Sequence, residues 1–200
     1  MNGSDRTLVH ICIAMGSDDV AGLLEALESA VSSTTGVEVD EALLQCYLFV
    51  GFPRVMRAFH VWREIAPVPA PPVATTDEAE WESRGHDVFQ RIYGAQHEKL
   101  LQNVAGLHPD LMQWMLVEGY GKVLGRAGLT LKTRELCNIA LLATQGALPQ
   151  LYSHLRGALV VGASEDDVEE TLTLALARVP GECGDRARDA WKTVLSRRGG

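Results

Sequence analysis

Apolar residues recur along this chain at the three- and four-residue spacing of helices. Val20, Leu23, Leu24, Leu27 and Val31 share one helical face, and Val39, Leu43, Leu44, Tyr47 and Val50 share another. Leu8–Met15 is apolar at every position but His10, as in a buried helix. Gly51-Phe52-Pro53 interrupts the pattern, and Val55–Ile65 resumes it with Phe59 and Trp62 three apart on one face. Further on, Trp81–Tyr93 and Leu100–Val104 read as helices, and Pro109 is placed as the first residue of a helix over Asp110–Leu124. Thr130 is an N-cap for the helix carrying Arg134 and Glu135. Gly146 suits the left-handed position after that helix, Pro149 restarts the chain, and Gly162 ends the next helix. Ser164-x-x-Asp167 resembles a capping box, opening helices over Asp167–Ala177 and then Asp185–Leu195. No alternating pattern of comparable length competes, so the expected class is all-α.

Two larger features organise these elements. The run from Pro67 to Asp77 is rich in alternating prolines, which exclude helix and favour an extended linker. It separates residues 1–66 from residues 78–200. The two flanking pieces also share a pattern. Arg6, Ile11, Leu23 and Leu27 fall on Arg134, Ile139, Leu151 and Leu155 at constant offset. After a one-residue gap, Glu41, Arg57 and Trp62 fall on Glu170, Arg186 and Trp191. The expectation is two tandem related helical repeats.

Composition narrows the function classes. The formal net charge of −8 argues against a nucleic-acid surface, which needs a concentrated basic patch. The basic pair Arg197-Arg198 reads as a frayed terminus. No apolar run approaches the roughly 18–20 residues needed to span a bilayer, so no membrane partner is expected. Leu8–Met15 lacks a basic leader and a cleavage site, which leaves a cytoplasmic location as the expectation. The four cysteines, Cys12, Cys46, Cys137 and Cys183, form no C-x-x-C and show no metal-ligand spacing, and they read as inert thiols. The histidines likewise show no metal spacing.

Candidate chemistry concentrates between Arg134 and Gly162. If the two helices of this stretch form an antiparallel hairpin turning near Ala147, Glu135 and His154 differ in axial position by about 7 Å at the helical rise. Their side chains can close that gap and act as a proton relay, with His154 moving the proton and Glu135 orienting it. Both residues also have plain readings, as a helix-terminal acid and an interface histidine. The counterpart positions in the first repeat, Thr7 and Ala26, cannot do this chemistry.

The stretches Tyr120-Gly121-Lys122-Val123-Leu124-Gly125-Arg126-Ala127-Gly128-Leu129, Arg134-Glu135-Leu136 and His154-Leu155-Arg156-Gly157-Ala158-Leu159 resemble the carboxymuconolactone decarboxylase family, within the alkylhydroperoxidase D-like superfamily. Leu43–Arg54 is similar to that family's late helices. The resemblance implies an alkylhydroperoxidase D-like helical fold and homo-oligomers, commonly trimers or hexamers. It includes lactone decarboxylases on small carboxylated substrates and thiol peroxidases that set a C-x-x-C between a glutamate and a histidine. By position that glutamate is Glu135 and that histidine His154, while the cysteines would fall on Ala147 and Gln150. Their absence argues against peroxide chemistry. The expectation is therefore a cofactor-free carboxy-lyase with His154 and Glu135 catalytic. Arg126 and Arg156 are candidates to bind the substrate carboxylate, with a salt bridge as the plainer role of Arg156. Tyr120 and Trp114 are expected in the core, and Tyr47 and Phe52 beside His154 if both repeats line one site. A thiol-linked antioxidant protein of the alkylhydroperoxidase D type is the alternative, disfavoured for want of the cysteine pair, and a non-catalytic helical scaffold is the third reading.

Overall fold

The computed structural model describes residues 1–68, 77–179 and 181–198, and among them every regular element is a helix. The first three are α1 (Gly3–Ser17), α2 (Val20–Ser33) and α3 (Gly36–Ile65). Gly51 breaks α3 with φ 74°, so Pro53 opens a second helical run where its missing N–H costs nothing. The Gln145 side chain donates to the Phe49 carbonyl beside this break at 3.0 Å. The expected linker lies largely within 69–76, outside the described residues. Then come α4 (Glu78–Tyr93), α5 (His97–Ala105) and α6 (Pro109–Trp114), which continues in π-helical register over Met115–Leu124. The chain ends with α7 (Leu131–Gln145), α8 (Leu148–Val160), α9 (Glu165–Leu176) and α10 (Glu182–Arg198).

The π register departs from the regular helix expected over 110–124, and the reason is the neighbour. A Cβ on Gly121 would lie 1.9 Å from the Trp81 carbonyl oxygen, and one on Gly85 2.2 Å from that of Leu116. The two glycines let α4 and the π segment approach backbone to backbone. Arg84 Nε then donates to the Gly121 carbonyl at 2.7 Å, a carbonyl the wider turn leaves accessible.

Helices α1 and α7 run parallel through the centre. Near their N-termini Thr133 Oγ1 donates to Asp5 at 2.7 Å, and near their C-termini Gly16 faces Thr144 so closely that a Cβ would lie 2.0 Å from its hydroxyl. Helix α7 is buried nearly throughout and α1 over most of its length, and one core joins Leu8, Ile11, Leu27 and Leu43 to Leu136, Ile139 and Leu151. A second cluster of Val88, Phe89, Ile92, Leu116, Tyr120 and Leu124 fixes α4 to the π segment. Tyr120 packs there as expected. Trp114 does not: it is 65% exposed, beside exposed Leu107 and Leu111 on the outer face of the α5–α6 corner.

The segments α1–α3 and α7–α10 share several local features. Thr35 with Glu38 and Ser164 with Asp167 form capping boxes. Asp18 and Gly146 both take the left-handed conformation after a helix. Trp62 Nε1 donates to Asp40, and Trp191 Nε1 donates to Glu169. The elements α4–α6 lie between the two segments in the chain, and α4 packs on α8.

Candidate active site

Glu135 sits one turn into α7, and His154 sits on the facing side of α8. The tight α7–α8 connection, with Gly146 at φ 68° and Pro149 in the first turn of α8, holds the two helices as a hairpin. His154 Nδ1 lies 2.9 Å from Glu135 Oε2, and both side chains are buried. One residue makes this approach feasible. A Cβ on Gly157 would lie 2.9 Å from Glu135 Oε2 and 2.6 Å from Ile92 Cγ2, so only glycine admits both α4 and the carboxylate there.

The carboxylate is the end of a longer polar chain that sequence reasoning missed. Asn138 Nδ2 donates to Glu135 Oε1 at 3.0 Å. Gln45 Nε2 donates to Asn138 Oδ1 at 2.6 Å and to the Arg134 carbonyl at 2.9 Å. Arg134 donates from Nη1 to Gln45 Oε1 and from Nη2 to Glu41 Oε2, at 3.1 and 2.8 Å. Glu41 also accepts three hydrogen bonds from Arg126, from Nε to both oxygens and from Nη2 to Oε1. These contacts fix the tautomer. The Asn138 amide must point its NH₂ at Glu135, because its oxygen faces the Gln45 donor. Glu135 Oε2 is then the acceptor for His154 Nδ1–H, which leaves Nε2 outside this pair. The spacing of Asn138, three residues after Glu135 on one helix face, was the available signal. Gln45 and Glu41 carried none, since their partners lie some ninety positions away.

These contacts correct one expectation. Arg126 is committed to Glu41 and is not an open cation for substrate. Tyr47 and Phe52 stack on each other 5.1 Å apart, and Tyr47 donates to Glu118 at 2.6 Å. The first segment reaches the site through Gln45 and Glu41.

Aromatic residues cap the pair. The Tyr93 ring lies 6.1 Å from the His154 ring, and the Tyr93 and Tyr120 hydroxyls are 2.7 Å apart. Burial pushes both phenols well above their ordinary range, and the nearby Glu135 charge adds to it. Both therefore stay protonated, and a hydroxyl pair uses only one of its two hydrogens internally. Beyond Tyr93 and Gly157 opens a cavity of about 190 Å³ lined also by Lys99, Asn103, Ser153 and Arg156. Arg156 is exposed, lines this cavity and pairs with no acid among the described residues.

The thiols are arranged differently. Cys12 and Cys46 sulfurs lie 3.9 Å apart in the core. Hydrogen bonding to Cys137 and Cys46, with complete burial, holds the Cys12 thiol well above its usual pKa. Such a thiol is a poor nucleophile.

An all-helical bundle with an acid–imidazole pair in a parallel-paired core defines the class of protein. The chain belongs to the carboxymuconolactone decarboxylase family, whose pattern it matches over residues 109–194. Peroxisomal protein 2 of Schizosaccharomyces pombe is 30% identical over 172 residues, covering 84% of this chain and 80% of that protein. Peroxisomal protein 2 of Saccharomyces cerevisiae is 34% identical over 89 residues, covering 44% of this chain and 31% of its own length. An uncharacterized 15.0 kDa protein of Paracoccus denitrificans is 41% identical over 68 residues, 33% of this chain and 51% of that one. No helix among the described residues is long and apolar enough to cross a membrane.

Proposed function

We propose that this protein performs cofactor-free proton transfer on a small carboxylated substrate, as a decarboxylase or lactone-processing enzyme. The observation that carries the reading is the 2.9 Å contact between His154 Nδ1 and Glu135, which leaves Nε2 as the proton-handling atom. In a decarboxylation the bond to the carboxylate breaks and CO₂ leaves. The electron pair passes into the conjugated lactone, and carbon takes a proton from Nε2 of the His154 imidazolium, which has taken that proton up from solvent. Glu135 stabilises the imidazolium before and the correct tautomer after. Arg156 holds a polar group of the substrate at the cavity wall.

The test is turnover of a panel of carboxylated γ-lactones, followed by CO₂ release and by deuterium uptake from D₂O. His154→Gln and Glu135→Gln are expected to lower the rate at least about 100-fold. Absence of both CO₂ release and deuterium uptake across the panel would sink the reading. One observation favours a second reading, a non-catalytic scaffold: the His154 side chain is only 10% exposed, with Tyr93 and Gly157 between it and the cavity. A thiol-peroxidase reading has weaker support, because Ala147 and Gln150 replace its cysteine pair and the core thiols are inaccessible.

The matched caps, left-handed turns and tryptophan ties support an origin of the two segments by duplication. The exposed Leu107, Leu111 and Trp114 support assembly into a homo-oligomer, with a trimer or hexamer expected from the family. The name of the fungal relatives sets the peroxisome beside the cytoplasm as a location, and imaging of a tagged chain decides between them.

A further inference from the structure

The protein carries a formal charge of −8, yet the charged side chains lining two adjoining cavities are, among the described residues, all cations. The inner cavity described above shares Gln96, Tyr152, Arg156 and Val160 with an outer cavity of about 390 Å³ between α8 and α10. Lys99 stands on the inner wall, Arg156 at the junction, and Arg197 and Arg198 on the outer wall. Among the described residues no aspartate or glutamate lines either part. The terminal arginines are not a frayed tail: α10 runs to Arg198, and Arg197 Nη1 donates to the Tyr152 hydroxyl at 2.9 Å with its guanidinium over that ring. Arg198 reaches Glu165 at 3.4 Å, outside the cleft lining.

We propose that the outer cavity is a phosphate-binding subsite, in which Arg156, Arg197 and Arg198 hold the phosphoryl group of a phosphorylated small molecule. A carboxylate carries one charge and is satisfied by one planar guanidinium fork. A phosphate ester carries nearly two charges on three terminal oxygens and matches several forks. Leu159, Val160 and Val194 give the same cavity an apolar wall for the carbon skeleton. The subsite deepens the proton-transfer reading and rests on it for one point only, that the inner end of the ligand meets His154. Exposed arginines tolerate the absence of such a ligand through hydration, so the cation cluster needs no internal acid, and its affinity falls with salt.

The experiment is isothermal titration of the full chain with phenyl phosphate, phenyl sulfate and benzoate, which share a ring and differ in the anion. At fixed, near-physiological ionic strength, phenyl phosphate is expected to bind at least about tenfold more tightly than benzoate, as extra charge-assisted hydrogen bonds require. The double variant Arg197→Gln/Arg198→Gln is expected to remove that advantage while leaving benzoate affinity unchanged. Arg197→Lys should restore part of it to the Arg198-containing chain. Arg156→Gln should weaken both ligands. Equal affinity for phenyl phosphate and benzoate, or a phosphate advantage untouched by the double variant, overturns the subsite and leaves the carboxylate reading standing. Failure of every anion to bind overturns both. Phosphate binding without turnover on any lactone supports the subsite and removes only the proton-transfer reading.

Discussion

The segments α1–α3 and α7–α10 share caps, turns and tryptophan ties, yet only the second holds an acid–imidazole pair. Where α7 and α8 present Glu135, Asn138, His154 and Gly157, α1 and α2 present Thr7, His10, Ala26 and Ser29 at the same offset. Gln45, which orients Asn138, has Leu174 as its counterpart. The surroundings differ to match. Helix α4 closes over the second segment with Ile92 and Tyr93. The corresponding face of the first is an open hollow of about 390 Å³ lined by Thr7, His10, Ala26, Ser29, Leu174 and Arg178. A scaffold held by apolar residues tolerates either outcome, because α1 and α7 bury the same kind of side chain against each other. A charged pair tolerates only the covered one, because it needs neighbours that complete its hydrogen bonds in low dielectric.

The comparison breaks most directly at its two matched ion pairs. Arg134–Glu41 is buried, whereas Arg6–Glu170 occupies the corresponding place with the Arg6 side chain 53% exposed. Arg134→Gln is expected to cost about 3–5 kcal/mol, because it removes one of the two cations on the buried Glu41 and unpins Gln45. Arg6→Gln should cost below about 1 kcal/mol. Urea unfolding of both variants checks this, and equal losses would mean that burial does not distinguish the two halves.

The next largest effect falls on the glycine. Gly157→Ala must displace Glu135 or Ile92, at an expected cost of about 1–3 kcal/mol. It should also shift the His154 imidazole resonances in an NMR spectrum. Ser29→Ala, at the matched position on the open hollow, should stay within about 0.5 kcal/mol of the parent. A silent Gly157→Ala variant would show that the close approach of α8 to Glu135 is not required.

The smallest effect is electrostatic. Partial desolvation, then Arg6 and Arg178, lower the pKa of His10 from its ordinary value, with Glu170 opposing. A lowered histidine pKa means that the unfolded chain takes up the proton first as pH falls. Stability should therefore decline below about pH 6.5, by less than about 0.5 kcal/mol given the exposure of the ring. His10→Asn, which copies Asn138, should flatten that decline in thermal unfolding between pH 7 and pH 5. An unchanged slope would assign the decline to other groups.

Much of this was legible in the linear chain. Helix periodicity, Gly51-Phe52-Pro53, Gly146 and the Ser164 capping box are local signals, and each produced the expected local structure. The pairing of Glu135 with His154 was legible because a short hairpin ties their positions together. Asn138 was within reach, one turn from Glu135. Gln45, Glu41 and the commitment of Arg126 were not, since each depends on α3 packing against α7. Trp114 was misread because its apolar character says nothing about which side of α6 faces the core. Arg197 and Arg198 were misread because a charged helix end looks like a tail until Tyr152 is beside it.

The sequence by itself determined the helices, their ends, the matched pattern of the two segments and the identity of the acid and the imidazole. These follow from backbone conformational preferences and short-range spacing, which act within a few residues. Tertiary structure decided which nitrogen of His154 is free, which arginines are spent on buried partners and which line a cleft. Those outcomes depend on desolvation and hydrogen-bond completion among residues up to about a hundred positions apart, and only the packed core brings such groups together.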